Sequence, residues 1–243
     1  VHPQVPEVLG YLLDPLTLEE AAAWILEATQ GAPSTPKIVV TLNPETVVRA
    51  TTDPALASAL KSADLTVADG VGIVWAARRR GYALPERVPG VELVERVLSC
   101  GREGLRTFFL GGRPGVAERA AKEAQARYGT SVAGAHHGYF DRGKGVRSVI
   151  EMVRGSGAQL LLAGLGERQE RFLAENRVDL TTPVMIGVGG TLDILAGTAI
   201  RAPTWARRGR LEWIWRVGSD PRRWHRIPRL IRFVVLTLGQ GQR

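Results

Sequence analysis

Short β-branched and apolar runs alternate with helical patterns of about ten residues along most of this 243-residue chain, and most of the runs close on glycine. Strand-like segments fall at 37–42, 65–68, 105–110, 131–135, 160–163 and 184–188, the last clear strand of the body. Helical patterns fall at 54–63, 71–80, 91–100, 114–127, 146–154 and 168–177, the first opened by an Asp53-Pro54 cap. Strands separated by single helices cannot be joined as hairpins. The pattern therefore predicts βαβ units and a mostly parallel, Rossmann-like sheet flanked by helices. The length suits one α/β core, assigned to residues 1–200, with an appendage at 201–243.

The glycines gather where strands end, at Asp69-Gly70-Val71-Gly72, Gly111-Gly112, Gly164-Leu165-Gly166 and Gly187-Val188-Gly189-Gly190. In open α/β sheets ligands sit beyond the carboxyl ends of the strands, where backbone amides and helix N-termini hold phosphate. One crevice for a nucleotide or sugar phosphate follows. The G-x-G-x-x-G spacing and a P-loop lysine are both missing, which disfavours a dehydrogenase or an ATPase.

Charge is concentrated at the C-terminal end. Residues 205–232 hold nine arginines and four tryptophans against Glu212 and Asp220, a net +7, where the whole chain carries +8. Beyond Pro221, Trp224, Ile227, Ile231, Val234, Val235 and Leu238 gather on one helical side. Phe233 and Leu236 fall off that stripe, and Pro228 is expected to kink or interrupt the helix. Such a segment suits an anionic leaflet, lipid diphosphates or nucleic acid; a helix packed on the body with solvated arginines is the plainer reading.

Other features narrow the class. The single Cys100 excludes an internal disulfide framework and a cysteine zinc cluster, and its place in an apolar helical pattern predicts burial. Neither a signal peptide nor a run of about 20 apolar residues is recognisable, so a cytoplasmic protein with peripheral membrane contact is expected. His136 and His137 adjoin in a strand-like segment, where neighbouring side chains point to opposite faces, so they are not expected to chelate a metal.

Read in order, several segments resemble one family. They are Thr41-Leu42-Asn43-Pro44-Glu45, Ala68-Asp69-Gly70-Val71-Gly72, Glu86-Arg87-Val88-Pro89-Gly90, His137-Gly138-Tyr139-Phe140 and Gly164-Leu165-Gly166-Glu167-Arg168-Gln169-Glu170. Then come Gly187-Val188-Gly189-Gly190-Thr191-Leu192-Asp193, Arg201-Ala202-Pro203-Thr204-Trp205 and Leu211-Glu212-Trp213-Ile214-Trp215-Arg216. The set is similar to the WecG/TagA/CpsF glycosyltransferases (glycosyltransferase family 26), from about residue 9 to 233. The resemblance implies an inverting transferase that moves a sugar, by default N-acetylmannosamine, from a UDP donor to polyprenyl-diphosphate-linked N-acetylglucosamine. Wall teichoic acid or common antigen would be the destination, or capsule or exopolysaccharide with another hexose. It also implies a membrane-touching appendage and a location on the inner face of the cell membrane.

The resemblance assigns Asp69 as general base and Arg87 near the acceptor or diphosphate. Thr41, Asn43 and Gln169 become sugar-site residues, and Arg216, Arg223 and Arg226 appendage arginines that reach the site. From its neighbours alone, Asp69 reads first as a cap of the following helix, and Thr41 and Asn43 read equally as a polar turn. Where the family has Pro-Lys before Gln-Glu, this chain has Glu167-Arg168. An Asp-x-Asp motif is missing, so arginines and backbone amides are expected to steady the leaving diphosphate, with no metal and no cofactor. A nucleic-acid-binding module and an inactive scaffold are the competing classes. The first leaves Asp69, Asn43, Gln169 and the glycine-ended strands without a role, and Asp69 together with the tail arginines speaks against the second; no nucleic-acid partner is expected. The oligomeric state, a homo-oligomer included, is left open.

Overall fold

The computed structural model describes residues 5–31, 35–141, 143–199, 224 and 226–240. A two-residue antiparallel pair opens the chain, β1 (Glu7–Val8) with β2 (Tyr11–Leu12). Helix α1 (Leu18–Gln30) follows, started by a capping box in which Thr17 and Glu20 satisfy each other's backbone amides. Six strands then build one parallel sheet: β3 (Lys37–Leu42), β4 (Leu65–Ala68), β5 (Arg106–Gly111), β6 (Ser131–His136), β7 (Leu160–Gly164) and β8 (Val184–Gly187). Their spatial order is β4-β3-β8-β7-β5-β6, every pairing parallel.

Period-two alternation divides the core between the sheet's faces. Ile38, Val40, Leu42, Phe108, Leu161 and Ala163 point to one side, and Val39, Phe109, Leu160 and Leu162 to the other. The first side is covered by α2 (Pro44–Ala50), α3 (Pro54–Lys61), α4 (Val71–Arg79), α7 (Lys144–Gly155), α8 (Gln169–Glu175) and α9 (Arg177–Leu180). The second is covered by α1, α5 (Gly90–Gly101), α6 (Val116–Tyr128) and α10 (Thr191–Leu195). Burial on both faces explains why inner strands such as β7 and β8 read as continuous apolar runs.

The topology marks where a ligand would sit. From β5 the chain passes through α6 to β6 on one side, and from β7 through α8 and α9 to β8 on the other. The two strands are neighbours whose connections leave in opposite directions, which opens a crevice at their carboxyl ends. Backbone bonds join the loops there: the Gly112 amide donates to the Gly164 carbonyl (3.1 Å) and the Gly138 amide to that of Gly112 (2.9 Å).

A C-terminal helix, Ile227–Gly239, packs on α2. Pro228 lies in its first turn, where no amide hydrogen is needed, so it starts the helix instead of kinking it. Phe233 and Thr237 are buried against the body, while Ile227, Ile231, Val234, Val235 and Leu238 remain exposed. The helix is therefore packed and also presents its apolar stripe outward, with Trp224 exposed just before it. No described helix is long and apolar enough to cross a membrane.

Two expectations are corrected. Cys100 is exposed, because α5 buries the stripe Val91, Leu93, Val94, Val97 and Leu98 and position 100 falls beside it. The His136 and His137 rings do not diverge: β6 ends at His136, the chain turns, and the ring centroids lie 4.3 Å apart.

Candidate active site

The segment after β4 turns at Gly70, whose φ of +98° favours glycine. Gly70, not Asp69, occupies the N-cap of α4, and no side chain caps that helix. The Asp69 carboxylate instead faces the start of α5, its Oδ2 accepting weakly from the Gly90 amide at 3.4 Å. A Cβ on Gly90 would stand 3.1 Å from Thr41 Oγ1, so the end of β3 closes on the same point. Asp69, Thr41 and the first amide of α5 thus meet at the carboxyl ends of β4 and β3, on the same end of the sheet as the β7–β5 switch point and two to three strands from it. The N-terminal end of α5 presents positive partial charge to this corner.

Asn43 caps α2. Its Oδ1 accepts from the Thr46 amide (3.0 Å) and the Thr46 hydroxyl (3.2 Å). The oxygen is committed to the fold, so only the amide nitrogen could address a ligand's hydroxyl. Arg87 lies in the loop before α5, held to the end of β4 by the bond from the Val88 amide to the Ala68 carbonyl (2.9 Å). It is half-buried and engaged by protein neighbours.

Gln169 opens α8 beyond β7 and is buried. Its Oε1 accepts from the Gly189 amide (2.9 Å), and its Nε2 donates to Glu170 Oε1 (2.9 Å). It therefore sits at the end of β8, the strand next to β3. Burial pushes the Glu170 carboxyl above the ordinary carboxylate range, and the Gln169 bond only partly offsets it.

The C-terminal helix reaches this edge through charge. Arg226 pairs with Glu45 in the first turn of α2 (3.5 Å). Arg229 donates to Glu167 Oε1 (2.7 Å), and Arg49 of α2 approaches the same oxygen (3.6 Å). The Arg229 bond chiefly holds Glu167 below its usual range. Glu167, the departure from the family pattern, thus ties α2, the turn Gly166–Arg168 and the C-terminal helix together. Arg168 turns the other way, donating to the Gly138 carbonyl (2.9 Å) and lying over the Phe140 ring.

Thr41, Asn43, Asp69 and Arg87 therefore cluster at the ends of β3 and β4, Gln169 stands one strand away, and Arg226 joins through Glu45. Arg216 and Arg223 lie outside the described residues. The sequence reading passed over Glu170, Glu45, Arg49 and Arg229. Glu170 carried a signal: it falls three positions before Leu173, on the apolar side of α8. A surface cleft of about 730 Å³ is lined by Ser99, Arg102, Arg127 and Gly129. Those residues precede β5 and β6, so that cleft lies at the opposite end of the sheet. No group of three or more metal-ligating side chains stands together among the described residues.

Comparisons with known proteins agree on one family. The profile of the Glycosyl transferase WecG/TagA/CpsF family matches residues 6–243. The chain is 32% identical over 226 residues to the N-acetylglucosaminyldiphosphoundecaprenol N-acetyl-beta-D-mannosaminyltransferase of Staphylococcus aureus strain MW2, covering 92% of this chain and 87% of that one. The proteins of the same description from strains NCTC 8325 / PS 47 and COL match to the same extent.

Proposed function

Since the chain belongs to the WecG/TagA/CpsF glycosyltransferase family, we propose that it transfers N-acetylmannosamine from a UDP donor to N-acetylglucosamine carried on a polyprenyl diphosphate, with inversion. The transferred sugar and the acceptor follow the description of the staphylococcal relatives, and the UDP donor follows the family resemblance. The assembly of a wall teichoic acid or a related surface polysaccharide is the corresponding process.

The observation that carries the reading is the corner formed by Asp69, Thr41 and the start of α5 at the carboxyl ends of β3 and β4. Asp69 does not cap α4, and its place at the strand end beside the start of α5 supports its reading as the base. In the proposed reaction the acceptor hydroxyl oxygen attacks the anomeric carbon from the face opposite UDP. Its proton passes to Asp69, and the anomeric carbon–oxygen bond breaks with its electron pair leaving on the UDP phosphate. Arg87 and the appendage arginines Arg216, Arg223 and Arg226 steady that negative charge, with strand-end amides of the glycine loops. Thr41, Asn43 and Gln169 hold sugar hydroxyl or acetamido groups.

Residues 201–243 act in this proposal as an appendage to the 1–200 core. The outward stripe Ile227, Ile231, Val235 and Leu238, with Trp224, supports contact with an anionic membrane surface, where a lipid-borne acceptor resides. The corresponding location is peripheral, on the inner face of the cell membrane.

The test is incubation with UDP-N-acetylmannosamine and a short-chain lipid-diphosphate N-acetylglucosamine, with mass spectrometric search for the disaccharide lipid. Product is expected from the natural chain. Asp69→Asn should bind UDP as before and lose at least about a thousandfold in kcat; retained turnover would refute the base assignment.

A further inference from the structure

Gln169 is fixed at both ends of its carboxamide. Oxygen Oε1 takes the Gly189 amide hydrogen and nitrogen Nε2 gives one hydrogen to Glu170, each at 2.9 Å. Reversing the amide would set its oxygen against Glu170 and its NH₂ against the Gly189 N–H, losing both bonds. Gly187 makes room for this arrangement, since a Cβ there would stand 3.0 Å from Nε2. One Nε2 hydrogen remains as what this side chain can offer a ligand.

Glu170 is the unusual member. It is only 7% exposed, and its Oε2 is shut from solvent with no hydrogen-bond partner among the described residues. A buried carboxyl oxygen without a partner costs about 1–3 kcal/mol, so leucine or methionine would serve packing better here. Its retained contribution is the Oε1 bond to Gln169.

We propose that Glu170 is a positioning residue: by accepting from Gln169 Nε2 it sets the direction of the Gln169 carboxamide toward the donor sugar. The proposal rests on the reading of Gln169 as a sugar-contacting residue. Glu170 itself does not touch substrate; it acts through Gln169.

Two variants separate this role from a structural one. Glu170→Gln keeps an acceptor for Nε2 in the same volume, and Glu170→Leu removes it while filling the space. The first measurement needs no substrate. In ¹⁵N-glutamine-labelled protein, the Gln169 side-chain resonances, identified by their loss in Gln169→Glu, should exchange slowly with solvent in the natural chain and in Glu170→Gln. In Glu170→Leu they should exchange at least tenfold faster. The second measurement is donor KM and kcat. Glu170→Leu should raise KM for the UDP-sugar about tenfold or more with an unreduced melting temperature, and Glu170→Gln should stay within about threefold of the natural chain. In a Gln169→Ala background, Glu170→Leu should add nothing.

Unaltered Gln169 exchange in Glu170→Leu overturns the positioning role whatever the kinetics. An equal KM penalty in the Gln169→Ala background overturns it too, by showing action outside Gln169. Failure of the natural chain to transfer from any UDP-sugar refutes the proposed function, and with it the donor-directed purpose, while the exchange data still decide the contact.

Discussion

Phe233 and Gly72 meet face to face: the ring's Cε1 lies 3.5 Å from where a Cβ on Gly72 would stand. Pro44 crowds the same point at 2.7 Å, so the start of α4, the first turn of α2 and the C-terminal helix converge there. Phe233 is 2% exposed, although it lies off the helix's main apolar stripe. That stripe faces away from the body. The off-stripe residue docks the helix, and the stripe is left exposed.

Phe233→Ala should therefore release the C-terminal helix without unfolding the sheet. Truncating a buried phenylalanine costs about 3–5 kcal/mol, and the loss falls on a helix with one other buried residue, Thr237. Trypsin should cut at Arg229 and Arg232 at least tenfold faster in the variant while the core fragment survives. Equal cutting rates would show that the helix is held by something other than Phe233.

Strands such as β7 and β8 were legible because they are buried on both faces and read as unbroken apolar runs; residues 65–68 coincide with β4 at both ends. Helix α1 was missed although Thr17 and Glu20 carry the capping-box spacing. Helix α2 was missed because Val47 and Val48 follow a β-branched strand closely, yet Asn43-Pro44 is the same cap signal as Asp53-Pro54. The sheet order could not be read, since the placement of β8 between β3 and β7 depends on contacts across 140 and more residues of chain. In the site, strand-end positions such as Asp69 and Thr41 were visible from the alternation of elements. The Glu167 contacts were not, because they depend on which helices pack beside the turn before α8; the Glu170 bond to its neighbour Gln169 depends on side-chain orientation and burial, which the order of residues does not give.

Glu167 should influence membrane contact more than stability. Its carboxylate is 62% exposed, so its bridges to Arg229 and Arg49 contribute no more than about 1 kcal/mol. The folded-state value is lowered, so this contribution is present above the unfolded value of 4.5 and is lost as pH falls below it. Glu167→Gln should shift thermal unfolding little at neutral pH. It removes one negative charge beside two arginines, however, and each unit of charge near an anionic surface is worth about 1 kcal/mol. Sedimentation with phosphatidylglycerol vesicles should rise about fivefold, and with phosphatidylcholine vesicles not at all.

Glu170 has the opposite sign. Its folded-state value is raised above 4.5, so the unfolded chain releases this proton first as pH rises. Stability is highest below 4.5, declines as pH climbs from there toward the folded-state value, and levels off above it. The slope from this one group is at most about 1.4 kcal/mol per pH unit. Glu170→Gln removes the slope. Its melting temperature should match the natural chain near pH 4 and exceed it once the pH has risen past 4.5; a constant difference across the range would mean that burial does not raise this carboxyl in the fold.

The outward stripe makes the most direct claim about where the enzyme works. Ile231 is 59% and Val235 61% exposed, and four residues apart they adjoin on the helix surface. Neither supports the core, so aspartate at both positions should leave the melting temperature within about 2 °C of the natural chain. The same change places two carboxylates where apolar side chains would enter the headgroup region and opposes the anionic surface, an expected loss of several kcal/mol of binding. Binding to phosphatidylglycerol vesicles should fall at least a hundredfold. Transfer to a water-soluble, short-chain acceptor should stay near the natural rate, while transfer to an acceptor embedded in vesicles should collapse. If both acceptors were used equally well after Ile231→Asp with Val235→Asp, the stripe would have no part in bringing the crevice to its lipid-borne substrate.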